Sequence, residues 1–131
     1  MSEYEGKQEY VRTIELPEIE VIKNKYPDKQ YTAKIEYPEF STICPKTGLP
    51  DYATIEIVYN PTEFLAELKS LKLYFVAFRD KGFFHEHFTN RIFDDFIEAV
   101  KPTWAKIEVR VNPRGGITTT IRREYPSDLE R

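Results

Sequence analysis

Apolar and polar positions alternate along Tyr31-Thr32-Ala33-Lys34-Ile35-Glu36-Tyr37, which predicts a half-buried strand stopped by Pro38. From Glu39 to Asp51 two prolines, a glycine and the single cysteine interrupt any periodicity, and the stretch reads as a loop. Tyr52 to Tyr59 alternates again, with Ala53, Ile55, Ile57 and Tyr59 on one face and Thr54 and Glu56 on the other. Asn60-Pro61-Thr62 ends that strand. Leu71, Tyr74, Phe75 and Phe78 then recur at helical spacing, and Asp80-Lys81-Gly82 closes the helix. A stronger stripe follows in Phe88, Ile92, Phe93, Phe96, Ile97 and Val100, ended by Pro102. Trp104 to Val111 and Ile117 to Arg123 read as two more strands, joined by the turn formers of Asn112-Pro113-Arg114-Gly115-Gly116.

The order is therefore ββααββ. Helices gathered in mid-chain predict an α+β fold, an antiparallel four-stranded sheet with both helices on one face. Such a sheet leaves two edges unpaired, and one way to cover them is edge-to-edge assembly of several subunits. The first twenty or so residues are polar, are broken at Pro17, and read as an N-terminal arm.

With 131 residues there is room for one core, so residues 1–131 form a single domain. Nine Tyr and nine Phe supply much buried surface from few positions. A formal charge of −3 gives no basic field, so direct nucleic acid binding is not expected. No apolar run approaches the roughly 20 residues that cross a bilayer, and the acidic N-terminus carries no secretory signal. With one cysteine, an internal disulfide and a Cys-rich metal site are both excluded. The expected compartment is the cytoplasm.

Cys44 lies in Phe40-Ser41-Thr42-Ile43-Cys44-Pro45-Lys46-Thr47-Gly48. It is either an inert small apolar residue or, as thiolate, a nucleophile, which requires a nearby base, cation or backbone donor. Asp51, seven residues on, is a strand-start residue or a proton donor beside that thiol. Lys69 and Lys72 are three apart and on a helix point the same way, into solvent or toward a phosphate. No Gly-x-Gly-x-x-Gly occurs, so a Rossmann-type dinucleotide site is excluded. His85-Glu86-His87 lacks the spacing of a zinc site, and no metal is expected. Glu86 either caps a helix or offers two parallel acceptors to the N1–H and 2-amino donors of a guanine-like ring. Arg114 is a turn residue or an arginine presented to a phosphate.

Together three blocks resemble the NADPH-dependent 7-cyano-7-deazaguanine reductases, the QueF family, in its short single-domain form. They are Phe-Ser-Thr-Ile-Cys44-Pro with Asp51, Glu67-Leu-Lys-Ser-Leu-Lys-Leu-Tyr74, and Phe84-His85-Glu86, spanning about residues 40–116. The second block looks like the family's Glu-(Ser/Leu)-Lys-(Ser/Ala)-apolar-Lys signature. Its second position, Leu68, replaces a serine found in other members and removes any hydrogen bond from that side chain.

The resemblance implies a tunnelling fold (T-fold) in a ring-shaped homo-oligomer, with active sites at subunit interfaces. It implies an oxidoreductase of queuosine biosynthesis, a transfer RNA modification pathway, acting on the free base. By the same resemblance Cys44 adds to the nitrile carbon, Asp51 protonates the nitrogen, and the resulting thioimide takes hydride. Two NADPH molecules then give 7-aminomethyl-7-deazaguanine. Glu86 holds the ring edge, with Glu67, Leu68 and His85 completing the base pocket, while Lys69, Lys72 and Arg114 hold the cofactor phosphates. The alternatives are a related amidine synthase that shares the thiol-on-nitrile step but uses ammonia in place of hydride, a GTP cyclohydrolase-like enzyme, which would need a second metal-binding cysteine, and a non-catalytic deazapurine-binding module.

Overall fold

Along the two central strands of the main sheet buried apolar positions alternate with more exposed ones, and the helices carry the apolar surface that covers the buried set. The computed structural model describes residues 10–127, and within them the side chains of all but Tyr10 and Arg114. A short 3-10 turn at Tyr10–Arg12 is followed by β1 (Val21–Lys23), β2 (Ala33–Ile43), β3 (Pro50–Asn60) and β4 (Phe64–Ala66). Two helices come next, α1 (Leu68–Val76) and α2 (His85–Val100), and then β5 (Trp104–Arg114) and β6 (Ile117–Tyr125). The larger sheet has the order β2-β3-β5-β6 and is antiparallel throughout, while β1 and β4 form a small separate pair. This is the expected α+β arrangement, ββααββ, with two short strands added.

The core lies between one face of the larger sheet and the helices. Ala53, Ile55, Ile57 and Tyr59 of β3 and Ala105, Ile107, Val109 and Val111 of β5 are all buried there. They meet Phe88, Ile92, Phe93, Phe96 and Val100, the predicted stripe of α2, and Leu71, Tyr74 and Phe75 of α1. Aromatic rings knit the layers: Phe40 lies 4.8 Å from Phe88 and 5.4 Å from Phe78, centroid to centroid. On the opposite sheet face the register sets Glu36, Glu56 and Glu108 side by side. Arg110 and Arg122 each reach Glu108 at 2.6 Å, and Lys34 reaches Glu56 at 3.4 Å, offsetting that row of carboxylates.

Two boundaries differ from the sequence reading. Pro38 does not stop its strand: β2 runs on to Ile43, with the register shifting between Tyr37 and Phe40. As β2 is an edge strand, the missing N–H at Pro38 deprives no neighbour, and the bulge absorbs the proline. The expected loop therefore shrinks to the turn from Cys44 to Leu49. In the same way α1 ends at Val76 and unwinds into successive tight turns, with Phe78, Arg79 and Lys81 N–H bonded to Phe75, Val76 and Phe78 carbonyls.

β5 and β6 also run past their expected ends, to Arg114 and Tyr125, while the end of α2 and the turn between these two strands are as read. Lys101 takes a left-handed φ of 54° at the end of α2, just before Pro102. Gly115 and Gly116, at φ 64° and 87°, make the two-residue turn of the β5–β6 hairpin, which demands positive φ at both positions. Among the described residues no helix is long and apolar enough to cross a membrane.

Candidate active site

Cys44 follows the last residue of β2 and is pinned from two sides. On one side Ile43 N–H donates to Lys81 O at 3.0 Å, and Phe83 N–H donates to Ile43 O at 3.2 Å. On the other, Cys44 N–H donates to Leu49 O at 2.8 Å and Gly48 N–H returns to Cys44 O at 2.9 Å. These bonds continue the β2–β3 ladder into a tight turn, for which Gly48 supplies a φ of 73°. The thiol itself is partly exposed.

The turn surrounds the thiol with hydrogen-bond donors. Burial alone would raise the Cys44 pKa, but donors outweigh it: the Thr47 hydroxyl, the Thr47 N–H and the Lys46 N–H together hold it below the ordinary thiol value. The negative charge of Asp51 pushes the other way. Thr47 Oγ1 also accepts the Leu49 N–H at 3.2 Å, which fixes the hydroxyl within the turn. Thr47 was not singled out from the sequence, although its position three residues after Cys44 is where a tight turn folds a side chain back.

Asp51 pairs directly with Thr42 across the β2–β3 ladder. Its carboxylate Oδ2 lies 3.1 Å from Nε2 of His85, with the Asp51 side chain only 10% exposed and that of His85 27%. His85 opens α2, so one contact ties the start of β3 to the start of the helix. No periodicity could reveal this pair, since 34 residues separate its members. Thr89 Oγ1 donates to His85 O at 2.8 Å and holds the first helical turn closed. Glu86, next in that turn, is exposed at the positive end of the helix dipole.

A second group of expected residues lies elsewhere. Glu67 caps α1, its carboxylate accepting Lys69 N–H and Ser70 N–H at 2.9 Å each, and these bonds hold its pKa below the usual carboxylate range. Glu67 N–H donates to Glu20 O at 2.9 Å, and Ser70 Oγ accepts Glu20 N–H at 2.9 Å, so the segment after the arm anchors this helix start. Leu68, Lys69 and Lys72 project into solvent from α1. Ala66 N–H bonds the Tyr59 hydroxyl at 3.2 Å, which places the start of α1 by the Tyr59 end of β3. Asp51 is at the opposite end of that strand, about 26 Å away along its axis.

One chain thus assembles Cys44, Asp51, His85 and Glu86 at one pole, and Glu67, Leu68, Lys69 and Lys72 at the other. The backbone of Arg114 pairs with Ile117 beside the hairpin turn, and its side chain lies outside the described residues. Among the described residues no three His, Cys, Asp or Glu side chains are grouped to hold a metal. A cavity of about 460 Å³, lined in part by Leu16, Ile19, Tyr74, Arg91 and Asp95, lies between the arm and the helices and includes none of the Cys44 group.

A family model described as "QueF-like protein" matches residues 50–129. A protein of Chlorobaculum tepidum named NADPH-dependent 7-cyano-7-deazaguanine reductase is 50% identical over 112 residues, covering 86% of this chain and 96% of its own. One of the same name from Nitrosococcus oceani is 47% identical over 108 residues, covering 82% and 84%. Among solved structures, the archaeosine synthase QueF-Like in its apo form superposes with a TM-score of 0.63 at 18% identity, over 72% of this chain and 91% of that one. At that identity the likeness is one of fold.

Proposed function

Because the chain belongs to the QueF family, whose members include reductases 50% identical to it, we propose that Cys44, Asp51 and His85 form the reaction centre of a nitrile reductase. The enzyme is an NADPH-dependent oxidoreductase of queuosine biosynthesis that reduces the nitrile of 7-cyano-7-deazaguanine to an aminomethyl group. What carries the assignment of the centre is the Cys44 turn, where three donors favour thiolate beside an acid already paired to a histidine.

The chemistry follows from those positions. Asp51 takes the proton that the Cys44 thiol gives up, and the thiolate attacks the nitrile carbon, forming an S–C bond as one C≡N π pair takes that proton from Asp51. The product is a thioimide, C=N–H, whose trigonal carbon accepts hydride more readily than a linear nitrile does. His85, 3.1 Å from Asp51, restores the proton and keeps the carboxyl oriented. When NADPH is bound it supplies hydride, and two molecules are consumed because a nitrile needs four electrons to become a primary amine. Between the two reductions the C–S bond breaks and returns Cys44 as thiolate.

Recognition is assigned to the remaining residues. Glu86, exposed beside His85, holds the N1–H and 2-amino edge of the ring. Lys69 and Lys72, one helical turn apart and free to meet solvent, fit the phosphates of NADPH, with Arg114 as a third cation. Glu67 and Leu68 complete the base pocket, Leu68 through its backbone. Since Glu67, Leu68, Lys69 and Lys72 belong to the start of α1, by the Tyr59 end of β3, the complete site forms where the α1 start of one subunit meets the Cys44 pole of another, with Glu86 and the Arg114 hairpin on the Cys44 side. A ring-shaped homo-oligomer of tunnelling-fold subunits supplies that juxtaposition and covers the free edges of β2 and β6. The enzyme works in the cytoplasm on the free base, without touching nucleic acid.

The test mixes the protein with 7-cyano-7-deazaguanine and NADPH and follows cofactor absorbance, with Cys44→Ala as control. Two NADPH consumed per nitrile, and none by the variant, is the expected result. A Cys44 adduct without NADPH consumption would instead indicate an amidine synthase, and neither would indicate a binding module.

A further inference from the structure

Thr42 is the residue of this pole that the mechanism above leaves unused. Its side chain is buried, at 1% relative exposure, and its Oγ1 has no hydrogen-bond partner, the only such buried side-chain atom among the described residues. A threonine that served packing alone would be better replaced by valine, which has the same shape without a hydroxyl to desolvate. The strand geometry says where this hydroxyl points. Thr42 is directly opposite Asp51 in the antiparallel ladder, so the two side chains leave the same sheet face with Cβ atoms about 5 Å apart. Cys44 stands two residues on, in a ladder that its own N–H to Leu49 O continues, and so faces the same way. Phe40, two residues earlier on that face, packs against Phe88 and Phe78, so that side of Thr42 is apolar and the polar neighbours the ladder gives it are Cys44 and Asp51.

Resting on the reading of Cys44 and Asp51 as the reaction centre, we propose that Thr42 Oγ1 is kept without a protein partner because its partner is the reacting nitrogen of the substrate. A hydroxyl suits a nitrogen whose character changes, since one rotor both donates and accepts. Before attack the Thr42 O–H donates to the nitrile nitrogen lone pair. As the S–C bond forms and the nitrogen takes the Asp51 proton, the new N–H donates back to Thr42 Oγ1, and no further proton moves. The contact strengthens as charge builds on nitrogen, so it acts on the chemical step more than on binding of the ring.

The test compares wild type with Thr42→Val and Thr42→Ser, measuring kcat, KM for 7-cyano-7-deazaguanine, Cys44 adduct formation by mass, and Tm. Thr42→Val is expected to lower kcat and the adduct rate about 100-fold, the scale of a lost donor at a developing charge. Its KM should stay near wild type and its Tm should be equal or higher, because an unmet hydroxyl has been removed from the fold. Thr42→Ser should restore most of the rate. A valine variant that turns over like wild type would overturn the proposal. So would one that loses stability in step with activity, since that would mean the hydroxyl serves the fold through a buried water. Wild-type protein that neither consumes NADPH nor forms an adduct would instead defeat the underlying assignment of Cys44.

Discussion

Replacing Arg91 should release the N-terminal arm and cost the fold a large part of its margin. Arg91 projects from α2 and donates from its two terminal nitrogens to Val11 O and Ile14 O, both at 2.8 Å, and from Nε to Asp95 Oδ2 at 2.8 Å. Asp95 is in turn bonded by the Tyr74 hydroxyl at 2.5 Å, so one guanidinium joins the arm, α2 and α1. The Arg91 side chain is 16% exposed and that of Asp95 28%, which removes both from full solvent screening. A hydrogen bond from a charged donor contributes about 1.5–3 kcal/mol, and the three bonds share one side chain, so their sum overstates the loss. Water reaching Asp95 recovers part of it, leaving about 3 kcal/mol for Arg91→Ala. With an unfolding entropy of about 2.1 cal/mol/K per residue, this corresponds to roughly 11 °C in a chain of 131 residues. The assay is thermal unfolding at fixed protein concentration, because assembly would otherwise move Tm. It should be paired with limited proteolysis between Val11 and Ile19, which are held buried only while the arm is docked. Arg91→Lys should recover less than half, since an ammonium cannot span two carbonyls and a carboxylate. A Tm for Arg91→Ala within about 3 °C of wild type would refute the reasoning, because it corresponds to under about 1 kcal/mol.

Three further outcomes follow from the site and its supports. Thr47→Val removes the hydroxyl that helps hold Cys44 below the ordinary thiol value, so the pH profile of iodoacetamide alkylation should move to higher pH and the rate at neutral pH should fall. As the folded pKa is the depressed one, the stabilisation tied to ionised Cys44 is present above the unfolded value and lost as pH falls through the folded value. Lys69→Ala with Lys72→Ala should raise KM for NADPH at least tenfold, in the order of 1.4 kcal/mol, with little change in KM for the base; steady-state kinetics in each substrate separates the two. Gly116→Ala, at φ 87°, should lower stability by about 1–2 kcal/mol in denaturant unfolding, because a Cβ strains the left-handed backbone although nothing lies near enough to clash with it.

The parts of the fold visible in the sequence are those where burial writes a period. Ala53, Ile55, Ile57 and Tyr59 alternate because one face of β3 is core and the other, with Thr54 and Glu56, is only half-buried. The six-residue stripe of α2 is legible for the same reason, with five of its members fully buried and Ile97 partly so. What escaped has no period to read. β1 and β4 are three residues each, too short for alternation, and are recognised only by pairing with one another. Pro38 misled because a proline is a breaker in a central strand but is tolerated at a bulge on an edge, and edge or centre is a property of the finished sheet.

The site divides along the same line between local and distant information. Cys44 and Asp51 are separated by one turn, and a strand–turn–strand passage returns the chain to the same place, so their seven-residue spacing already encoded proximity. The histidine that completes the pair comes from another element, and only the docking of α2 on the sheet brings His85 to 3.1 Å of Asp51. Thr47 and Thr42 show a third case, in which the residue is close in sequence but its role depends on which groups are left without partners. Thr47 spends its hydroxyl on the Cys44 sulfur and on Leu49 N–H, whereas Thr42, equally near, has no hydrogen-bond partner for its own among the described residues. Under the role proposed for Thr42, a hydroxyl's value to the reaction follows from a bond the fold does not make, and no spacing along β2 could have disclosed that. The separation of Lys69 and Lys72 from Cys44 carries the reasoning one level further. Strand length sets Asp51 about 26 Å from Tyr59, the end of β3 by which α1 begins. If both poles serve one reaction, the missing information is held in the contact between subunits.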